Sequence, residues 1–153
     1  MARSAYDYAL DLLSARAYTS AGLRRKMAQK EFAADDIDAA ITRLVAGGLL
    51  DDRKFAAEFA RQKIAVGGAS VRRVRQQLAQ KGIPSSDASE AIARMLDDEH
   101  VDQEAAVERI ALKKLRSLEG LEESVKRRRL FGFLSRKGYE LEDIKRVISR
   151  IPL

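Results

Sequence analysis

The chain has 153 residues, 46% hydrophobic and 34% charged, and its 29 Lys and Arg against 23 Asp and Glu give a formal net charge of +6. It contains no cysteine and one histidine, which excludes disulfides and thiol catalysis and leaves little for metal binding. No stretch approaches the roughly 20 apolar residues that span a bilayer, and the N-terminus runs into helix-like sequence without a signal-peptide pattern, so a cytoplasmic chain without membrane contact is expected.

Helical spacing begins at Ala5, with Ala9, Leu10, Leu12 and Leu13 as apolar positions to Ala15. Thr19 or Ser20 can cap a second helix with Leu23 and Met27 on its buried stripe. Asp35 can cap a third, with Ile37, Ile41, Leu44 and Val45 on one side, and Gly47-Gly48 ends it. Asp51-Asp52 then opens a helix carrying Phe55, Ala56, Phe59 and Ala60, which Gly67-Gly68 breaks. Ser70 caps the next, with Val71, Val74 and Leu78 on one face; Gly82 closes it and Pro84 follows as a stop. Asp87 and Glu90 begin a helix bearing Ala88, Ile92 and Met95, and an acidic, aperiodic tract follows at Leu96 to Val101. The last third reads as helices carrying Val107, Ile110, Ala111 and Leu115, then Leu130 and Leu134, then Leu141, Ile144, Val147 and Ile148. No strand of convincing length appears.

One register recurs three times: Leu23, Met27, Phe32, Ile41; Val74, Leu78, Ile83, Ile92; Leu130, Leu134, Tyr139, Ile148. Lys30, Lys81 and Lys137 hold one place in it, and Gly82 and Gly138 share the next place with Glu31. The periodicity predicts an all-α fold of three tandem three-helix repeats, spanning residues 1–50, 51–98 and 99–153, packed end to end into an elongated array.

Catalytic constellations are not found. His100 reads as a solvated loop residue, and no glycine loop has phosphate-cradling spacing. Asp35-Asp36 and Asp51-Asp52 stand where helices start and suit the helix dipole. No catalytic, cofactor or metal site is expected. The cations carry more information. Each repeat concentrates them in its middle helix: Arg24, Arg25 and Lys30; Arg72, Arg73, Arg75 and Lys81; Lys126, Arg127, Arg128, Arg129, Arg136 and Lys137. Residues 101–153 have 13 basic and 9 acidic side chains, net +4, whereas residues 1–50 and 51–100 are each net +1. Arg24, Arg25, Arg72 and Arg73 are expected early in their helices, where they oppose the dipole, so local stability does not account for them. Arginine suits bidentate contact with phosphate or carboxylate. A polyanionic partner follows, either a nucleic-acid backbone or an acidic protein surface.

The run Gly48-Leu49-Leu50-Asp51-Asp52-Arg53-Lys54-Phe55-Ala56, then Gly67-Gly68, then Arg72 to Ile83 with Leu78-Ala79-Gln80-Lys81-Gly82-Ile83, resembles the RecX regulatory proteins of bacteria. Ala9-Leu10, Leu12-Leu13, Tyr18-Thr19-Ser20, Leu23 and Lys26-Met27 extend the likeness into the first repeat. The resemblance implies a curved array of three three-helix units lying in the groove of the RecA–DNA filament. It implies a non-enzymatic modulator, without cofactors, that inhibits strand exchange, ATP hydrolysis and coprotease activity, in the setting of DNA repair, recombination and the SOS response. Contact with single- and double-stranded DNA without sequence specificity, and a monomeric state, are expected. The alternative is an autonomous helix-turn-helix-like nucleic-acid-binding protein.

Overall fold

The computed structural model describes residues 2–153. These form nine α-helices and no strand: α1 (Ala5–Ala15), α2 (Ser20–Gln29), α3 (Ala34–Ala46), α4 (Asp52–Ala60), α5 (Val71–Gln80), α6 (Ser85–Asp98), α7 (Gln103–Arg116), α8 (Glu123–Arg136) and α9 (Leu141–Arg150). They group in threes around three separate cores. Leu23, Met27, Ile41 and Leu44 centre the first, Val74, Leu78, Ile83 and Ile92 the second, and Leu130, Leu134, Ile144 and Ile148 the third. The recurring register is thus the core register. Phe32 and Tyr139 are its half-buried members.

The first helices of the repeats start by side-chain capping. Ser4, Asp51 and Asp102 accept from the amides of Asp7, Lys54 and Glu104 respectively. The third helices start differently. Their cap residues are Ala33, Pro84 and Glu140, and none makes a side-chain cap bond. Instead the residue before the cap and the residue four into the helix are apolar and share a core: Phe32 with Ile37, Ile83 with Ala88, Tyr139 with Ile144. This is the hydrophobic-staple arrangement, and burial sets the helix start. Asp35 is therefore not the cap expected of it; it stands inside the first turn of α3, where it complements the dipole. Pro84 is itself the cap residue of α6, its fixed φ of −57° leading into the helix.

Other expectations shift for similar reasons. α6 runs through Leu96 to Asp98, because Met95 is buried and Leu96 packs on the second core, which outweighs the acidic residues at its end. Val45 and Leu141 point out to solvent at 51% and 49% exposure and take no part in their cores. Beyond Ala60 the chain winds as a π-helix over Arg61–Val66, a form uncommon at this length. Gly67 caps that segment and Gly68 takes φ +68°.

The repeats meet through the ends of their middle helices. Thr19, buried at the start of α2, accepts from the Gly22 amide at 3.0 Å and donates to the Lys81 carbonyl at the end of α5, 2.7 Å away. A Cβ at Gly82 would collide with the Cβ of Ala21. One repeat later the pattern returns. Ser70, buried at the start of α5, accepts from the Arg73 amide at 3.1 Å, and its own amide donates to the Lys137 carbonyl at the end of α8, 3.2 Å away. A Cβ at Gly138 would stand 2.6 Å from Ser70 Oγ and Arg73 Cβ. The carbonyl end of α8 thus faces the amide end of α5, and the carbonyl end of α5 faces the amide end of α2. The dipoles run head to tail, a favourable arrangement.

Glu31, Gly82 and Gly138 all take the left-handed conformation, with φ of +62°, +83° and +95°. The turn is therefore conserved in shape in all three copies. What distinguishes Glu31 is that no neighbouring repeat approaches it, so a side chain fits there. A total surface of 9737 Å² exceeds the roughly 7,800 Å² of a compact monomer of this mass, as an extended array requires.

Candidate interaction surface

The thirteen cations singled out in the middle helices fall into three structural groups. In the first, Arg24 pairs with Asp38, Arg72 with Glu140 at 2.7 Å, and Arg127 with Glu123 at 3.0 Å. All three pairs are solvent-exposed, and such pairs contribute about 0–1 kcal/mol, so these arginines remain open to another anion.

The second group is engaged by main-chain carbonyls or aromatic rings, and two of its three members, Arg73 and Lys137, act across the junction of the second and third repeats. Arg73 donates from its guanidinium to the carbonyl of Arg136, and Lys137 Nζ donates to the Gly67 carbonyl at 2.9 Å. Lys81 Nζ lies 5.9 and 5.5 Å from the ring centres of Phe55 and Phe59. Arg72 and Arg73 do sit in the first turn of α5, against its dipole. The carboxylate of Glu140 and the terminal carbonyls of α8 supply the compensating negative charge from the next repeat. Arg24 and Arg25, by contrast, lie in mid-helix, the fifth and sixth residues of α2, where the dipole has little influence.

The third group, Arg25, Lys30, Arg75, Lys126, Arg128, Arg129 and Arg136, has no carboxylate within ion-pair distance among the described residues. All but Lys126 are exposed. Lys30, Lys81 and Lys137 each form the C-cap of their middle helix, a position that favours a cation.

Two adjoining recesses at the junction of the second and third repeats collect further cations. One, of about 530 Å³, is bordered by Lys63, Arg73, Gln77, Phe133, Arg136 and Lys137. The other, of about 460 Å³, is bordered by Val66, Arg109, Ile110, Lys113, Lys114 and Phe133. Neither wall contains a carboxylate. Lys63, Arg109, Lys113 and Lys114 escape a reading by middle helices because they belong to the π segment and to α7. Lys113 and Lys114 also sit in the last turn of α7, where dipole complementarity alone accounts for a lysine. Only the fold brings them opposite Arg136 and Lys137.

The aromatics near the basic run divide. Phe131 is 37% exposed. Phe133 is half-buried, with Lys114 and Lys137 Nζ 5.2 and 5.7 Å from its ring centre. Tyr139 packs on the third core and donates its hydroxyl to the Gly68 carbonyl at 2.8 Å, and burial pushes its pKa up to about 12.

A groove of about 440 Å³ between α4 and α6 is of mixed charge. There Arg61 hydrogen-bonds Glu58 and holds its carboxyl below the usual range, while Glu58 raises the guanidinium in turn; Glu90 and Arg94 pair at 2.8 Å. No cluster of three or more His, Asp or Glu suited to a metal occurs among the described residues, and His100 is exposed.

Fold and surface together define a tandem array of three-helix units with a basic, multi-repeat exterior. Three family descriptions match in order: RecX, first three-helix domain over residues 5–44, second three-helix domain over 51–92, and third three-helix domain over 102–148. The chain belongs to the RecX family. It is similar to proteins named regulatory protein RecX: 34% identical to that of Chlorobaculum tepidum, covering 97% of this chain and 88% of the relative. Identity to the Trichlorobacter lovleyi protein is 32%, covering 95% and 94%. The crystal structure of RecX from Lactobacillus salivarius superposes with a TM-score of 0.73 at 21% identity, covering 95% of this chain and 92% of that one. No helix among the described residues is long and apolar enough to cross a membrane.

Proposed function

We propose that this chain is a cytoplasmic, monomeric, non-enzymatic regulator that binds the filament RecA forms on DNA. There it inhibits strand exchange, ATP hydrolysis and coprotease activity. The observation that carries this reading is the extended array with cations in the middle helix of every repeat, in a family whose members are named regulatory proteins. An array of this kind presents a long surface to a partner. A filament groove lined by DNA phosphates and acidic protein side chains complements that surface in charge. Arg25, Arg75, Arg128 and Arg129, free of carboxylate partners, are suited to bidentate contact with either anion.

Titrating the protein into RecA ATPase and strand-exchange reactions tests the reading. Inhibition at stoichiometric ratios to RecA is expected; full activity in excess protein sinks it. The acid-free recesses favour a second reading, an autonomous nucleic-acid binder without sequence specificity. DNA binding that leaves RecA activity untouched selects it.

A further inference from the structure

The two recesses between the second and third repeats share Gly67, Phe133 and Lys137, and so form one cleft. Its rim is cationic throughout: Lys63, Arg109, Lys113, Lys114, Arg136 and Lys137. A rim without a carboxylate is unusual in a chain with 23 acidic residues, and like charges brought together cost free energy unless an anion neutralises them. The floor is apolar, built from Val66, Ile110 and Phe133, and Val66 is 68% exposed.

We infer that this cleft is a binding site for single-stranded nucleic acid. Phosphates take the lysine and arginine rim. The face of an unpaired base covers Val66, Ile110 and Phe133, contacts worth about 1–3 kcal/mol per base where an aromatic platform is used. A duplex meets only the first requirement, because its bases are stacked and paired. An acidic peptide offers carboxylates to the rim but no planar ring to lie over Val66, Ile110 and Phe133. The site rests on the reading that the partner surface carries DNA, and it assigns that contact to residues outside the middle-helix arginine clusters.

The test uses the full chain, without RecA, and fluorescence anisotropy of labelled oligo(dT) against a duplex of equal length across a salt series. The site requires preference for oligo(dT). Lys113→Gln with Lys114→Gln changes two polar side chains at the rim, and circular dichroism reports whether the fold is kept. That variant binds oligo(dT) more weakly, and its slope of log affinity against log salt is shallower by about 1.4, at about 0.7 per phosphate contact for single strands. Val66→Ser removes exposed apolar surface from the floor and weakens binding with no change of slope. Wild-type affinity and slope in the lysine variant overturn the site, as does absence of oligo(dT) binding, or displacement of oligo(dT) by duplex at equal concentration. Poly-glutamate that binds with equal affinity and is lost in the same variant assigns the cleft to an acidic protein surface and overturns it too. RecA inhibition is measured separately on the same variants, so loss of oligo(dT) binding with inhibition intact separates this site from the proposed function.

Discussion

The hydroxyl of Thr19 donates to the main-chain carbonyl of Lys81, 62 residues away in sequence and one repeat away in space. The same oxygen accepts from the Gly22 amide, so one buried side chain both starts a helix and joins two repeats. Thr19→Val keeps the shape and removes both bonds. It should destabilise the chain by about 1–2 kcal/mol, from the lost cap and the carbonyl left without a partner. Urea unfolding measures the change, and an unaltered midpoint removes Thr19 from the junction.

Gly138 and Glu31 take the same left-handed turn in different company. Gly138→Ala places a Cβ 2.6 Å from Ser70 Oγ and adds the left-handed penalty of about 1–2 kcal/mol, so a loss beyond about 2 kcal/mol is expected. Glu31→Gly removes that penalty where nothing is crowded and should be neutral or stabilising by up to about 1 kcal/mol. Thermal unfolding should show a lowered midpoint for the Gly138 variant and an unchanged or raised one for the Glu31 variant if the junction geometry is right.

Tyr139 ties the third core to the Gly68 carbonyl. Tyr139→Phe should cost about 1 kcal/mol. Its raised pKa also has a pH signature. Below pH 10 the phenol is neutral in both states. Between 10 and about 12 the unfolded chain releases its proton while the folded chain holds it, so this group's contribution falls as pH rises through that window. Phenolate absorbance should show one tyrosine titrating near 12 that the Phe variant lacks.

The third repeat should dominate partner affinity. Replacing Arg127, Arg128 and Arg129 with alanine should weaken co-sedimentation with RecA filaments more than replacing Arg24 and Arg25. Each set has one arginine in an exposed ion pair, Arg24 with Asp38 and Arg127 with Glu123, but the third repeat offers two unpaired arginines, Arg128 and Arg129, against Arg25 alone. Equal losses from the two variants would remove the gradient.

Periodicity revealed the fold because burial follows helical spacing. Leu23, Val74 and Leu130 are all fully buried, at equivalent places in three cores. The caps at Thr19 and Ser70 were legible for the same local reason. The junctions were not, since they run through main-chain carbonyls at Lys81, Arg136 and Lys137, which leave no mark in side-chain pattern. The π segment carries no distinctive composition. The cleft lysines are ordinary residues in ordinary helices until Gly67-Gly68 turns the chain and places Lys63 near Arg136 and Lys137.

The junction device also bears on the two ends of the array. A seat needs a small residue in the left-handed turn on one side and a capped helix start on the other. At the open end of α2, the matching turn carries Glu31 in place of glycine. At the open end of α8, the position matching Thr19 and Ser70 is Lys126, inside a helix that already begins at Glu123. Each end of the array therefore lacks one half of the seat that joins its own repeats, the left-handed glycine on one side and the capped helix start on the other.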